Sequence, residues 1–180
     1  MTSKRIAIQR VTDDQCEACL GLLNDVGEWL DSRGYRQRVA NLSPETYAAW
    51  QLQSVNYAIS YDSELAGIFS LPTEPFSDWP GISDPSTACW LRTLAIHPEY
   101  RGYGIGRVAV AHALSIAGRS NPLFLDCASQ FLADYYQRLG FELLCTQTTR
   151  HPNQPDVTLY LLRHANTSPV QHKRSDVDID

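Results

Sequence analysis

The stretch HPEYRGYGIGRVAV, His97 to Val110, constrains this chain more than any other. Glycines stand at 102, 104 and 106, directly behind Arg101. Glycine loses more backbone freedom on ordering than any other residue, so three in one short segment need a reason. The apolar run ACWLRTLAI, Ala88 to Ile96, precedes them and reads as a strand that Pro98 ends. An alanine-rich helical pattern follows, to about Ala117, with Gly118 as its stop. A strand therefore runs into a glycine turn that opens a helix. Such a turn aims several backbone N–H groups one way, at the positive end of the helix dipole. It suits a phosphate; the plainer alternative is a tight turn with no ligand.

The remaining elements can be placed around this turn. RIAIQRV, Arg5 to Val11, alternates apolar and polar residues and predicts a strand. Cys19, Leu22, Leu23, Val26, Trp29 and Leu30 recur at helical spacing over Asp14 to Leu30, with Asp13 or Asp14 as the cap. Ser43, Pro44 and Glu45 open a second helix, which carries Tyr47 and Trp50. VNYAISY and ELAGIFSL form a hairpin that turns at Asp62-Ser63. Pro72 to Thr87 holds four prolines and predicts an ordered, irregular excursion pinned by Phe76 and Trp79. PLFLDCA is the next strand. Phe131, Leu132, Tyr135 and Leu139 mark one face of the last helix, which Gly140 ends. FELLCTQTT and VTLYLLRH close the pattern around a polar turn at Asn153 to Asp156. The expected organisation is one domain over residues 1–165, then a flexible polar tail over residues 166–180.

Composition removes several classes of function. The net charge is −5, the only lysines are Lys4 and Lys173, and the arginines are scattered, which argues against a nucleic-acid partner. Five cysteines at irregular spacing do not make a disulfide framework. They read as reduced thiols of a cytoplasmic protein. Cys16 and Cys19 form a C-x-x-C pair, but no second pair matches it. The pair falls in an apolar helical pattern, so it reads as core, and no metal is expected. No apolar run is long enough to span a membrane, and no signal-peptide pattern opens the sequence.

Three phosphate cradles compete for the glycines. A P-loop requires Gly-Lys-Ser or Gly-Lys-Thr, and the sequence has neither. A dinucleotide fingerprint fits Gly104 to Ala109, with Asp126 on the following strand in the place of a ribose-binding acid. However, HPEYRGY separates the strand from that fingerprint, and too little chain follows to complete repeated parallel units. The third pattern is [QR]-x-x-G-x-[GA], met by Arg101-Gly102-Tyr103-Gly104-Ile105-Gly106. It resembles the signature of the GNAT superfamily of N-acyltransferases. LRTLAIHPEYRGYGIG is similar to that family's strand, splayed bulge and pyrophosphate loop. LADYYQRLGFELL is similar to its later helix, and EWLDSRGYRQ to an N-terminal helix of many members. The likeness spans about Lys4 to His164.

The resemblance implies an α/β (α+β) fold: a mixed, mostly antiparallel central sheet of about six to seven strands. Helices cover both faces, and one pair of parallel strands splays apart. It implies acetyl-CoA as co-substrate and acetyl transfer to a primary amine. Backbone N–H groups over Gly102, Tyr103, Gly104, Ile105, Gly106 and Arg107 would take the pyrophosphate, beside the charge of Arg101. The pantetheine arm would add to the strand edge at Leu94 and Ile96. An N–H near Ile96 would face the oxyanion. Tyr136, four residues before Gly140, matches the family's general acid, and Tyr135 would belong to the core. Proton donation from a phenol near pKa 10 to a thiol near 8.5 is uphill by about 1.5 units, roughly 2 kcal/mol. A hydrogen bond to the sulfur serves as well as full transfer.

Asp126 is a candidate base that could equally cap a turn or pair with an arginine. His97 and Glu99 read as turn residues, and His112 as packing or surface. Ser129 stands where the family often has asparagine, which removes one coenzyme contact. The acceptor is a small-molecule or peptide amine, and the chain a monomer or homodimer. The reading from another class is a non-catalytic acyl-CoA-binding module or sensor.

Overall fold

The computed structural model describes residues 5–35, 41–74, 88–118, 121–149 and 156–165. Strands β1 (Ile6–Arg10), β2 (Ser54–Tyr61) and β3 (Glu64–Pro72) form an antiparallel meander. The β2–β3 hairpin turns at Asp62 and Ser63, both at positive φ (51° and 75°), as a two-residue loop of this kind requires. Asp62 also accepts the Arg5 N–H through Oδ1 at 2.9 Å, which ties the turn to β1.

β3 then pairs antiparallel with β5 (Arg92–Ile96), giving the order β1-β2-β3-β5. The second sheet has the order β4-β6-β8-β7, from β4 (Cys89–Trp90), β6 (Leu123–Cys127), β8 (Val157–His164) and β7 (Glu142–Thr149). β4 and β6 run parallel; every other described pair is antiparallel.

Helices cover both faces because strand residues alternate. On β2, Ala58 faces one way and Tyr57 and Ile59 the other. On the Ala58 side, α1 (Cys16–Ser32) and α2 (Pro44–Gln53) bury Cys19, Leu22, Leu23, Val26 and Tyr47 over Ile68 and Ala95. On the other side lie α3 (Ile105–Ala117) and α4 (Gln130–Arg138). They pack Ile105, Ala109, Val110, Ala113, Ala133 and Tyr136 against Phe69, Leu125 and Leu162. Each large apolar side chain so buried contributes about 1.5–3 kcal/mol. The small alanines of α3 let its axis come close to the sheet. This core draws on both sheets.

Four expectations need correction or refinement. Ala88 to Ile96 is not one strand. The chain changes sheet at Leu91, whose N–H donates to Phe124 O at 2.8 Å before the chain turns to β3. Three steps along β5, Arg92 to Ala95, then match two along β3, Ser70 to Ile68. This is a bulge, and Thr93 sits in it at φ 52°. The splayed parallel pair is thus β4/β5 beside β6. There are eight described strands, or seven with β4 and β5 joined. Secondly, Thr12 and Gln15 start the first helical segment, not Asp13 or Asp14. The Thr12 N–H donates to Gln15 Oε1 at 3.2 Å, and the Gln15 N–H to Thr12 O at 2.9 Å.

Thirdly, α4 buries Ala133 and Tyr136 and leaves Phe131 71% exposed, so its inner face is rotated from the one expected. Fourthly, α1 extends to Ser32, past Leu30. Of the Pro72–Thr87 excursion, residues 75–87, with Phe76 and Trp79, lie outside the described residues. So do residues 150–155 of the last turn and the tail over 166–180.

Candidate active site

Between β5 and α3 the chain makes a single helical turn at Pro98–Tyr100 and then extends through Arg101. His97 caps this turn through Nδ1, which accepts the Glu99 N–H at 3.4 Å, so both are turn residues as expected. Aromatic contacts fix the loop on one side. Tyr61, at the end of β2, meets Tyr100 and Tyr103 with ring centroids 5.9 and 5.0 Å apart. On the other side, the Arg101 guanidinium lies 3.5 Å from the centroid of the Trp29 ring of α1, which Arg33 also covers at 4.9 Å. Burial, and secondarily the charge of Arg33, lower the pKa of Arg101.

The three glycines have two different causes. Gly102 and Gly104 have φ of 84° and 76°, a region costly for any residue with a side chain. A Cβ on either would meet nothing within 4 Å. Gly106 is helical, but its Cβ would lie 2.9 Å from the Tyr135 hydroxyl. Gly104 is the N-cap of α3 and brings no side-chain acceptor, and no acidic residue stands in the first turn. The Val108 N–H bonds Gly104 O at 3.2 Å. The N–H groups of Ile105, Gly106 and Arg107 precede that bond and have no partner among the described residues.

The edge of β5 is equally bare. The His97 N–H donates to Ala66 O at 2.9 Å, and Ala95 is in register with Ile68, so these two residues face β3. By alternation the peptide groups of Leu94 and Ile96 point away from β3. β5 is the end of its sheet among the described strands. Beyond Trp90–Phe124, the last paired position of β4 with β6, the strands diverge into a V with Leu94 and Ile96 on one arm and Asp126 and Cys127 on the other.

Tyr136 is fixed from both ends of α4. Ser129 accepts the Leu132 N–H through Oγ at 3.3 Å and so caps the start. At the end, the Gly140 N–H reaches Gln137 O at 3.0 Å and the Phe141 N–H reaches Tyr136 O at 3.1 Å. This is the Schellman arrangement, with Phe141 against the Tyr136 ring at 5.7 Å between centroids. Tyr136 is 8% exposed. Burial pushes its phenol well above the usual tyrosine value, and the neighbouring Cys127, Tyr135 and Asp126 add to the rise. The phenol therefore keeps its proton.

Cys127 is pushed up to about 11, by burial first, with Asp126 adding and the bond to Ser129 opposing. Its Sγ donates to Ser129 O at 3.7 Å. Asp126, on β6 opposite Leu161, is half-buried. Tyr136, Asp126 and Cys127 thus stand together. His112 packs edge-on against Tyr57 and Phe69 at 5.7 and 6.2 Å.

Sequence reasoning missed four neighbours of this site: Trp29, Thr93, Cys127 and Tyr135. Only Gly106 carries a trace of one, since a glycine inside a helical pattern signals a close approach. No group of three or more His, Cys, Asp or Glu residues among the described ones could hold a metal.

Comparison with known proteins bears on the family and the fold. The model of the Acetyltransferase (GNAT) family matches residues 23–141. No curated protein sequence matches the chain. Among solved structures, a ribosomal-protein alanine N-acetyltransferase from Escherichia coli superposes with TM-score 0.67 at 14% identity, over 93% of this chain and 98% of that one. One from Brucella melitensis gives 0.66 at 18% identity, over 87% and 98%. A Salmonella typhimurium acetyltransferase, solved with its cofactor acetyl-CoA, gives 0.65 at 16% identity, over 96% and 99%. At these identities the likeness concerns the fold.

Proposed function

Because the chain belongs to the acetyltransferase (GNAT) family, we propose that it moves an acetyl group from acetyl-CoA to a primary amine by direct transfer. The observation that carries this reading is the open start of α3 beside the bare edge of β5. Three unpartnered N–H groups and the positive end of a helix dipole suit a diphosphate. The peptide groups of Leu94 and Ile96 suit an amide-bearing arm laid along the strand. The backbone of Gly102, Tyr103 and Gly104 completes the cradle. Arg101 and Arg107 add positive charge on either side, which suits an anionic diphosphate.

Acetyl-CoA supplies an acyl group activated as a thioester. The chain supplies the surroundings. The Ile96 N–H is the donor for the carbonyl oxygen as it gains charge. Tyr136, held protonated, donates a hydrogen bond toward the departing sulfur. Its raised pKa makes that bond, rather than full proton transfer, the stronger assignment. Asp126 of β6, whose charge acts on this tyrosine, serves as the base candidate.

The acceptor is a small-molecule or peptide amine, bound on the opposite side of the V from the coenzyme. Residues up to 165 constitute the catalytic domain. Five free thiols fit a reducing cytoplasm. No helix among the described residues is long and apolar enough to cross a membrane.

The test is calorimetry followed by turnover. Acetyl-CoA is expected to bind in the micromolar range and to outcompete NADH, and a panel of amines to release CoA. Tighter binding of NADH would end this reading. Binding without turnover on any amine would favour a sensor.

A further inference from the structure

We propose that Tyr135 is a further coenzyme-binding residue, whose hydroxyl donates to a diphosphate oxygen of acetyl-CoA at the first turn of α3. The inference rests on the reading above, that this turn receives the diphosphate. Its basis is the contact between Tyr135 and Gly106. A Cβ at Gly106 would meet the Tyr135 oxygen at 2.9 Å and its ring carbon at 3.8 Å. The hydroxyl therefore lies against the second residue of α3, where the N–H groups of Ile105, Gly106 and Arg107 are unpartnered.

The Tyr135 hydroxyl has no hydrogen bond to any described residue. None of the three N–H groups bonds to the phenol oxygen, so its O–H and those N–H groups can all be directed at one anionic acceptor. Arg107 of α3 and Arg138 of α4 both lie near enough to act on it electrostatically, against the larger effect of burial. Donors and cations from two helices thus converge on one point, which is what an anion needs.

The tyrosine is also held in place before any ligand arrives. Its ring meets Tyr136 edge-on at 5.3 Å between centroids, and α4 is fixed by Ser129 at one end and Gly140 at the other. Neighbouring residues on a helix are about 100° apart, so the two tyrosines serve different parts of one ligand. Tyr136 looks to the sulfur end and Tyr135 to the phosphate end. The Tyr135 ring packs against the core, as expected, and the proposal adds a role for its hydroxyl.

The test is a coupled pair of variants of the full chain, read by calorimetry with acetyl-CoA. Tyr135→Phe keeps the ring and removes the donor, and is expected to weaken acetyl-CoA about ten-fold or more. S-acetylpantetheine, which has no diphosphate, should bind both proteins alike in a titration to millimolar concentrations. The 3′-dephospho form of acetyl-CoA should show the same loss as acetyl-CoA, since the diphosphate is the partner. Gly106→Ala should weaken acetyl-CoA in the wild-type background by displacing the hydroxyl. It should cost much less in Tyr135→Phe, where the displaced atom is gone.

An equal loss for acetyl-CoA and S-acetylpantetheine would overturn the proposal, as would unchanged acetyl-CoA affinity in Tyr135→Phe or additive effects of the two changes. A loss confined to ligands carrying the 3′-phosphate would overturn the choice of the diphosphate. In each of these cases wild-type binding leaves the acetyltransferase reading standing. A wild-type chain that binds no acetyl-CoA would overturn both.

Discussion

The starts of α3 and α4 differ although the two helices do the same structural job. Each follows a strand that borders the V, and each packs on the same face of the sheets. α4 begins with Ser129, which takes up the Leu132 N–H with its own hydroxyl at 3.3 Å. α2 does likewise through Ser43 and the Thr46 N–H at 3.2 Å. α3 begins with Gly104, with no side-chain cap and no acid in its first turn. A serine there would supply the local acceptor worth about 1 kcal/mol. A helix start without it is less stable alone and more receptive to an anion. The difference separates a helix whose start is closed on itself from one whose start is open to an anion.

The largest effect should come from damage to the open start. Gly104→Val introduces a β-branched side chain at φ 76° and into the space before the unpartnered N–H groups. Acetyl-CoA affinity should fall about a hundred-fold, since more than one charge-assisted hydrogen bond is lost. Calorimetry on a variant shown to be folded by circular dichroism is the check. Retained affinity would mean that the ligand does not use this end of the helix.

The next effect belongs to the other helix. Tyr136→Phe should lower kcat about ten-fold and leave the Kd of acetyl-CoA nearly intact, because the lost bond is made mainly in the transition state. A hundred-fold fall or more would instead point to full proton donation. Unchanged turnover would remove Tyr136 from the chemistry.

Much of this comparison was legible in the sequence, and for local reasons. Ser43-Pro44, Asp62-Ser63 and Leu139-Gly140-Phe141 act on their own backbone, so their turns and caps can be read directly. The bare start of α3 could be read from Gly102 and Gly104 in the same way. What could not be read depends on partners far along the chain. Cys89, Trp90, Leu94 and Ile96 are equally apolar, and nothing in their order says that β4 joins β6 while β5 joins β3. Arg101 meets Trp29 across 72 positions of sequence, too far for any periodicity to show. Gly106 looks like its neighbours Gly102 and Gly104, yet it answers to Tyr135 of another helix rather than to its own φ.

A third variant sharpens the contrast from the closed side. Ser129→Ala should cost about 1 kcal/mol of stability by chemical denaturation, the ordinary loss of a cap. It should leave acetyl-CoA affinity within two-fold (roughly 0.4 kcal/mol), since this serine is occupied by its own helix. A large loss of affinity would give α4's start a direct part in binding and erase the distinction between the two helices.

The smallest effect is a pH dependence at the same helix start. Cys127 donates to Ser129 O at 3.7 Å and is pushed up from 9.0 to about 11, chiefly by burial. A group whose pKa is raised by folding gives stability that is complete below its unfolded value and is lost as pH climbs to the folded one. The Cys127 contribution to the unfolding free energy should therefore hold steady from pH 7 to about 8.5 and decline by under about 1 kcal/mol at pH 9.5. Tyr136 is shifted in the same direction, but its unfolded value of 10.0 delays its contribution to higher pH. Cys19 and Cys89 are also raised by burial, so they share the decline. Cys127→Ala should make the curve shallower between pH 8.5 and 9.5 without making it flat. Urea titrations at three or four pH values would measure the slope. An unchanged slope would mean that the thiol ionises in the folded chain as readily as in the unfolded one. The end of β6 would then be open to water beside α4, and the start of α4 would be no more closed than that of α3.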